Sequence, residues 1–490
     1  NHTASDGAAV LITIAQASST TTTVGDGPFT YDGSTHTGGS GTVTGAGSLN
    51  VSATSLTYSG DQTDAGTYSV TAHYAGDANH TASDGAAVLI TIAQASIIPV
   101  SLVNGKLVIT GTDGRDIVHV TQGGSDGGSD GQIHVRVQFN LPSTAGSDGG
   151  SDGGHDGQGS LFTFNATDVT SICIFGLGGN DHLHVSSHIT VPVTIDGGEG
   201  DDQIWGGGGK DTITDLKGNN QIHSGKGNDT VTVGDGANKI WTDGGNDTVT
   251  AGNGNNEIHV GHGSNMVTVG DGNNHIWADG GSDGGADGDN IIKTGNGNND
   301  IHAGDGNDII TTGSGNDRID AGGGNDLVHA GAGNDIVKGG SGNDILLGEG
   351  GNDTLTGDEG LDLIIGGIGA DTLNGSKDDD LLIAGTTSYD ANDAALRAIR
   401  SEWISARSYA QRIYNLSNGT AGGDSSTFAN RNNGNYFLIG DDGGTQTVFN
   451  DNDVDTLTGD QGRDWYFANR NLLGGDSGPL DIVKKLEAGE

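Results

Sequence analysis

Between residues 197 and 383, apolar residues recur at nearly every ninth position, each in the middle of a three-residue group whose outer residues are mostly polar in the first repeats. Such a group has the period-two alternation of a half-buried strand. The six residues that precede each group are rich in Gly, Asp and Asn, which favour turns. The pattern predicts a regular stack of short strands joined by tight turns. The inward positions of the first repeats are Ile204, Ile213, Ile222, Val231, Ile240 and Val249.

The N-terminal hundred residues follow a different pattern. Residues 67–74 and 88–92 alternate apolar and polar side chains, as strands of a sandwich do. Residues 1–18 are identical to residues 79–96, which indicates tandem repeats of about immunoglobulin-domain size. We therefore predict an Ig-like β-sandwich over 19–98, preceded in 1–18 by the last strand of a truncated repeat. These segments resemble the tandem Ig-like modules of large bacterial surface proteins.

Residues 99–196 are predicted to form a β-rich lead-in domain. Gly111–His119 and Gly176–His184 are isolated copies of the nine-residue pattern. Ser-Asp-Gly tracts near 125–131 and 147–157, and again near 282–288, interrupt the strands. These tracts have little apolar area to bury, so we interpret them as flexible loops. The alternative is that the aspartates of these tracts bind a divalent cation such as calcium.

Residues 386–490 are predicted to form a C-terminal cap that contains one amphipathic helix. Asp390 or Asn392 is a candidate N-cap residue. We expect the helix to cover the open end of the stack, which otherwise exposes unpaired backbone. Its apolar stripe consists of Leu396, Ile399, Trp403, Ala406, Ala410 and Ile413.

Composition narrows the possible partners. Acidic residues outnumber basic ones by 64 to 20, for a net charge of −44. This charge argues against nucleic acid as a partner, because phosphate binding needs basic patches, and it favours divalent cations. The single cysteine, Cys173, excludes an intrachain disulfide. No apolar run reaches the length of a transmembrane helix, so no transmembrane segment is predicted.

The nine-residue pattern resembles the RTX (haemolysin-type) calcium-binding nonapeptide G-G-x-G-x-D-x-U-x. Residues 197–205 read GGEGDDQIW, and residues 339–347 read GGSGNDILL. The resemblance implies a parallel β-roll over 197–385 in which two repeats make one coil. It also implies that multiple calcium ions bind between turns stacked on one edge. Turn carbonyls and carboxylates are oxygen ligands that suit such a hard cation.

On this resemblance, the aspartates at the sixth position of each repeat are the candidate ligands. The sixth residues on what we term the first edge begin Asp202, Asn220, Asn238, Asn256 and Asn274, and those on the second edge begin Asp211, Asp229, Asp247 and Asn265. We expect an amide ladder on the first edge and carboxylates on both edges from Asp308 onward. The candidate metal ligands are Asp202, Asp211, Asp229, Asp247, Asp308, Asp317, Asp326, Asp335, Asp344, Asp353, Asp362, Asp371 and Asp380.

Two outward columns recur at 18-residue spacing. We interpret the Trp/His column as a stacked surface ladder or packing against the lead-in domain; docking of a subunit or a glycan is the alternative. Threonine is a favoured strand residue, so we interpret the Thr column as structural, with ice binding as the alternative. The first column is Trp205, His223, Trp241, His259 and Trp277, reaching His302 if 278–293 is one lengthened repeat; the second is Thr212, Thr214, Thr230, Thr232, Thr248, Thr250 and Thr268.

Together these features predict an all-β, secreted or cell-surface, calcium-binding structural protein. We expect a component of an extracellular fibre, surface layer or adhesin that associates with itself or with other matrix components. Calcium would relieve the self-repulsion of the acidic chain and make the roll rigid. No enzymatic function is predicted. Gly475–Pro479 resembles the nucleophile loop of serine proteases, and we attribute this resemblance to chance. The alternatives are the non-catalytic secretion region of a larger hydrolase, or an ice- or glycan-binding solenoid.

Overall fold

A computed structural model describes most of the chain and divides it into two compact units, 1–98 and 99–490. The residues described are 16–25, 29–30, 35, 37–59, 66–93, 99–123, 131–139, 159–280, 287–417, 431–440, 446–451, 453–468 and 482–484.

The first unit contains two sheets. One is antiparallel with the order β1-β3-β4, and the other has the order β2-β8-β6-β5 with β7 beside β6. Tyr68, Val70 and Ile90 form the buried core of the second. The Ig-like identity of this unit stays a prediction. The strands are β1 (Ser19–Val24), β2 (Phe29–Thr30), β3 (Ser40–Gly45), β4 (Leu49–Ser52), β5 (Ser55–Ser59), β6 (Gly66–Tyr74), β7 (Ser83–Asp84) and β8 (Val88–Ala93), with a short 3-10 helix at Ala46–Ser48.

The second unit is built almost entirely from strands. Before residue 197 these are β9 (Val100–Val103), β10 (Lys106–Thr110), β11 (Asp116–Gln122), β12 (Gln132–Phe139), β13 (Ser160–Asn165), β14 (Ser171–Phe175), β15 (His182–Val185) and β16 (Val193–Asp196), with a 3-10 helix at Ala166–Asp168. Through the first half of the repeats they are β17 (Gln203–Gly207), β18 (Thr212–Asp215), β19 (Gln221–Gly225), β20 (Thr230–Val233), β21 (Lys239–Trp241), β22 (Thr248–Ala251), β23 (Glu257–His259), β24 (Met266–Val269), β25 (His275–Trp277) and β26 (Ile291–Lys293).

The second half of the repeats and the C-terminal part complete the set. The strands are β27 (Asp300–His302), β28 (Ile309–Thr311), β29 (Arg318–Gly323), β30 (Leu327–His329), β31 (Ile336–Ser341), β32 (Ile345–Gly350), β33 (Thr354–Glu359), β34 (Leu363–Ile368), β35 (Thr372–Ser376), β36 (Leu381–Ile383), β37 (Thr386–Thr387), β38 (Val448–Phe449), β39 (Thr456–Thr458), β40 (Trp465–Phe467) and β41 (Ile482–Lys484). The helices are α1 (Asp393–Trp403) and α2 (Tyr409–Leu416).

Successive strands alternate between two long, mainly parallel sheets, as the predicted β-roll requires. The first sheet runs from β9 through β18 and β36 to β40; the second runs from β13 through β17 and β35 to β41. Ile204 pairs with Ile222, and Ile213 pairs with Val231, so the stacking offset is two repeats. The central side chain of each strand is buried between the sheets. The resulting core is one continuous column of Ile, Val and Leu.

Both sheets begin upstream of residue 197, within the segment predicted as a separate lead-in domain. Strand β16 pairs with β18 in the first sheet, and β15 pairs with β17 in the second. The isolated repeat copies in this segment therefore stack in register with the roll. Strands β12 and β13 add antiparallel pairing at this end of the second sheet.

The stretch 278–293 is one lengthened repeat. Trp277 pairs directly with His302 across it, and Asn274 N donates to Asn299 Oδ1 of the next coil at 3.2 Å. The stacking register is therefore the same before and after this lengthened repeat.

The prediction of one helix in the cap is wrong, because the described residues of the cap form two. Helix α1 begins as predicted after Asn392, whose side chain accepts from Ala395 N at 3.1 Å. The apolar stripe is then interrupted near Ala406. Ser408 and Gln411 form a reciprocal capping box that starts α2. A favourable cap inside a periodic stripe is sufficient to divide it.

The predicted position of the helix is also wrong: the helices do not cover the open end of the roll. Leu396, Ile399 and Trp403 pack against the outer face of the first sheet, where they meet Leu347, Ile365 and neighbouring apolar residues. The roll itself is extended at that end by β39 and β40, which pair with β35 and β36. Outward-facing Leu and Ile side chains of these strands form the apolar surface on which the helices pack.

Within the described part of the chain, no helix is long and apolar enough to cross a membrane.

Candidate metal centre

The sixth residues of the repeats form two buried ladders along the edges of the roll. In each ladder one side-chain oxygen accepts a hydrogen bond from the backbone of the preceding coil. Asp211 N donates to Asp229 Oδ1 at 2.8 Å, and Asp344 N donates to Asp362 Oδ1 at 2.7 Å. The ladders therefore fix the stacking of the turns and use only one oxygen of each carboxylate.

The second oxygen, Oδ2, is the informative atom. In all thirteen predicted aspartates it is buried and accepts no hydrogen bond within the described structure. Burying a charged oxygen without a partner costs several kcal/mol, so such an atom needs a cation or a proton. This set of orphaned oxygens fits a hard cation at every predicted position.

Backbone carbonyls approach the same space from the next coil. A Cβ atom on Gly206 would lie 2.6 Å from the carbonyl oxygen of Ser224 and 2.9 Å from Asp211 Oδ2. Glycine at the first position of a repeat thus leaves room where a carboxylate and a carbonyl converge. Across the described residues, no three His, Cys, Asp or Glu side chains gather into one metal cluster. Carbonyls must therefore supply much of any ligand set.

Burial shifts the titration of these carboxylates. It raises the pKa of Asp211, Asp326 and Asp371 to about 8 in the metal-free fold, although backbone N–H donors lower it. The pKa of Asp344 is raised to about 6, by burial, while a backbone N–H donor and the charge of Arg400 lower it. Desolvation is the largest cause in each case. Without a cation, many of these groups hold a proton near neutral pH.

Asparagine turns are satisfied without any cation. Asn265 Nδ2 donates to the carbonyls of Gly261 and Gly263 at 3.2 and 3.1 Å. Asn256 Nδ2 donates to Asn274 Oδ1 at 3.0 Å, so the predicted amide ladder is present. The amide nitrogen provides donors at the end of the side chain where aspartate has only an acceptor. These turns therefore close through their own hydrogen bonds.

In two segments of the roll the first residue of the repeat also differs. We call residues 251–277 the amide segment; its three repeats begin with buried Ala or Val and carry Asn at the sixth position. We call residues 339–383 the carboxylate segment; its five repeats begin with Gly and carry Asp. A first-position side chain points at the sixth residue of its own repeat, as a Cβ on Gly348 would meet Asp353 Oδ2. The amide segment thus lacks the charge of the carboxylate segment and has larger side chains beside its sixth residues. The paired residues are Ala251 with Asn256, Val260 with Asn265, and Val269 with Asn274; and Gly339 with Asp344, Gly348 with Asp353, Gly357 with Asp362, Gly366 with Asp371, and Gly375 with Asp380.

Comparison with known families decides what these turns are. The family model for the RTX calcium-binding nonapeptide repeat (4 copies) matches eight overlapping segments between residues 194 and 382. Residues 194–382 are RTX calcium-binding nonapeptide repeats. The RTX repeat family binds calcium at multiple sites, in agreement with the oxygen-only character of the ladders. A comparison with curated proteins gives no match.

The RTX roll includes ladder residues that sequence reasoning did not select. Asp181 lies one coil before Asp202 on the first edge, and its orphaned Oδ2 and raised pKa of about 8 match the predicted set. Asp455 and Asp464 follow Asp371 and Asp380 on the two edges. Gly459–Phe467 reads GDQGRDWYF, a complete nonapeptide that the 84-residue offset from Asp380 concealed.

Two other sequence signals have separate outcomes. Residues 451–455 read DNDVD, which resembles the start of an EF-hand calcium loop. Asp451 Oδ2 accepts a hydrogen bond from Gly369 N of the roll at 2.6 Å. Asp455 joins the ladder, so this stretch belongs to the edge of the RTX roll. The protease-like Gly475–Pro479 lies outside the described residues.

The Trp/His column forms a stack of parallel rings on the outer face of the second sheet. The planes of successive rings from Trp205 to His302 differ by only 3 to 8°, and His259 lies 4.4 Å from Trp277. Each ring face is covered by its neighbour, so mainly ring edges reach the surface. This geometry favours the interpretation as a stacked surface ladder, because a sugar would need open ring faces.

The outer face of the first sheet changes character along the RTX roll. Thr212, Thr230 and Thr248 stack in register and remain partly or fully exposed. At the equivalent outward positions the carboxylate segment has Ile345, Leu363 and neighbouring apolar residues, which α1 and α2 cover. One sheet therefore presents a free polar face in its first half and a packed apolar face in its second.

Proposed function

We propose that this calcium-binding β-roll protein serves as a rigid structural element of an extracellular assembly, such as a fibre, surface layer or adhesin. The single observation that carries the proposal is the row of orphaned Asp Oδ2 atoms on both edges of the roll. Each turn of such a roll contacts only its neighbours. The roll therefore becomes stiff only when every turn is closed. On this proposal the thirteen predicted aspartates are the metal ligands.

The residues themselves account for calcium-dependent folding. The backbone ladder through Oδ1 sets the stacking distance, and the buried Oδ2 atoms then oppose stacking until their charge is neutralised. A bound calcium ion supplies that positive charge and accepts the facing carbonyl oxygens as ligands. The net charge of −44 adds long-range repulsion that the metal-free chain must overcome. Calcium concentration outside a cell thereby controls whether the rod exists.

The proposal is tested on the full chain with calcium and with EGTA. Far-UV circular dichroism should lose β signal when calcium is removed, and the loss should reverse on addition of calcium. Negative-stain microscopy and light scattering of the calcium-loaded protein should show filaments, sheets or larger species. A calcium-independent spectrum would contradict calcium-controlled folding, and a calcium-loaded monomer at high concentration would contradict self-assembly.

A matched pair of variants separates calcium from general acidity. Asp344→Asn with Asp362→Asn removes two ladder carboxylates, whereas Asp235→Asn with Asp271→Asn removes two exposed ones. We expect only the first pair to lower the calcium dependence of folding. An equal effect of both pairs would assign the dependence to net charge alone.

A further inference from the structure

Asp215 departs from the repeat pattern at a position that the other repeats keep uncharged. It is the first residue of the nine that ends at His223, where the carboxylate segment has glycine and the amide segment has Ala or Val. It lies at the end of β18 and is fully buried. A carboxylate in this place is directed into the space between two coils.

The Asp215 carboxylate meets that of Asp202 above Gly197. A Cβ on Gly197 would lie 2.7 Å from Asp202 Oδ2 and closer still to Asp215 Oδ2. At the comparable place above Gly206, the group that approaches from the next coil is a backbone carbonyl. Asp215 therefore supplies a full negative charge where other turns supply a carbonyl dipole.

Neither carboxylate is neutralised by the surrounding protein. Asp202 and Asp215 are 1 % and 0 % exposed, and both Oδ2 atoms are without a hydrogen-bond donor. Over the described ranges, no Lys, Arg or His forms an ion pair with either side chain. Two facing buried carboxylates cannot both be ionised unless a cation lies between them.

The position of Asp215 coincides with a change of ladder type. Asp202 is the last aspartate of its edge before the Asn stretch, and its backbone N donates to Asn220 Oδ1 at 2.9 Å. The second edge changes in the same way at Asp247, whose N donates to Asn265 Oδ1 at 3.0 Å. On that edge the first residues of the two stacked repeats are Thr242 and Val260, so no second carboxylate faces Asp247. Where the first edge changes from Asp to Asn, Asp215 supplies the negative charge that Asn220 lacks.

We propose that Asp215 is a further ligand of the divalent cation at Asp202, so that this pair closes the carboxylate ladder where the amide ladder begins. The all-oxygen donors select a hard cation of the calcium class. The inference rests on the proposed calcium-dependent roll and adds to its Asp202 site a ligand that the repeat pattern does not contain.

Native mass spectrometry of the full chain, loaded with calcium alone, counts the bound ions. We expect Asp215→Asn and Asp215→Gly each to bind one calcium ion fewer than the unmodified chain. The glycine variant restores the usual first residue and keeps the turn foldable, which circular dichroism checks. Asn220→Asp in the Asp215→Gly background recreates a stacked Asp pair and should return the lost ion. Asp235→Asn, which removes an exposed charge one coil away, should leave the count unchanged.

An unchanged count in both Asp215 variants would overturn the site and indicate that the pair shares a proton. A fall in the Asp235→Asn variant equal to that in Asp215→Asn would also overturn it, because the loss would then follow net charge. Failure of the proposed function has a different signature: the unmodified chain itself would bind no calcium, which would exclude this site as well.

Discussion

The amide and carboxylate segments have the same backbone path and differ in how their turns are closed. In the amide segment, Asn256, Asn265 and Asn274 donate to turn carbonyls or to the next amide, and apolar first residues fill the space beside them. In the carboxylate segment each Asp places an acceptor at that point, beside a glycine that leaves room. A change from oxygen to nitrogen at one atom thus decides whether a turn needs a cation.

This difference teaches that calcium dependence is a local property of each repeat. Stability in a solenoid is a sum of repeat and nearest-neighbour terms, so segments of unlike chemistry respond separately. The amide segment should persist without metal as an island inside the roll. The carboxylate segment also carries the cap helices on its outer face, so its opening releases them too.

The largest expected effect comes from pH. In the metal-free fold the pKa of Asp362 and Asp371 is raised from 3.8 to about 8, mainly by burial. A raised carboxyl pKa means that the folded state holds protons that the unfolded state has lost, so metal-free stability is greatest near pH 4 and falls as pH rises through 6 to 8. A tenfold change in the acid dissociation constant of one carboxyl group corresponds to about 1.4 kcal/mol of folding free energy.

Urea unfolding of the EGTA-treated chain at pH 5 and pH 8 measures this effect. Calcium affinity should show the opposite trend and weaken from pH 8 to pH 5, because binding must displace protons. Metal-free protein that is more stable at pH 8 than at pH 5 would contradict the assignment of the orphaned oxygens.

Replacement of buried Asn by Asp should destabilise the amide segment. Asn256→Asp with Asn274→Asp replaces donors by buried acceptors, at a cost of about 3 kcal/mol or more per site. Calcium should not fully rescue this variant, because Val269 occupies the space beside the new carboxylate at position 274. Urea unfolding measures the loss, and the exposed changes Asn255→Asp with Asn273→Asp provide the matched control.

Room and charge can then be separated. Adding Ala251→Gly and Val269→Gly to the buried double variant should produce a calcium-dependent gain in stability. Full rescue by calcium without the glycine changes would contradict the argument from space.

The cap helices are expected to stabilise the carboxylate segment, on which they pack. Trp403→Ala removes a fully buried side chain from the apolar face of the first sheet and should cost about 3–5 kcal/mol. Ile404→Ala, next in the chain but 39 % exposed, should cost far less. Thermal unfolding of the calcium-loaded chain compares the two; equal losses would show that the helices are not held by this contact.

Much of this architecture follows from the sequence because its signals are local and periodic. The nine-residue spacing predicts the roll, the inward Ile and Val positions, and the ladder residues from Asp202 to Asp380. Two features depend on long-range contacts and could not be predicted: the capping box at Ser408 that divides the helix, and the 84-residue return that brings Asp455 and Asp464 onto the edges. The role of first-position residues such as Val260 also becomes visible only when coils are stacked.

The smallest expected effect lies in the aromatic column. Trp241→Ala removes two stacking contacts, with His223 and His259, on the surface of the roll. Such pairs contribute about 0.5–1.5 kcal/mol each, so the change should lower thermal stability slightly and leave calcium binding intact. Thr250→Ala on the other sheet is the control. A loss of several kcal/mol would indicate that the column is a structural support of the amide segment.

Hydrogen–deuterium exchange of the full chain, in calcium and in EGTA at pH 8, tests the central claim most directly. Peptides from residues 339–383 should lose most of their protection when calcium is removed, and peptides from the cap helices should follow them. Peptides from residues 251–277 should keep substantially more protection in the same sample. Equal loss in the two segments, or a carboxylate segment that stays protected in EGTA, would contradict the account.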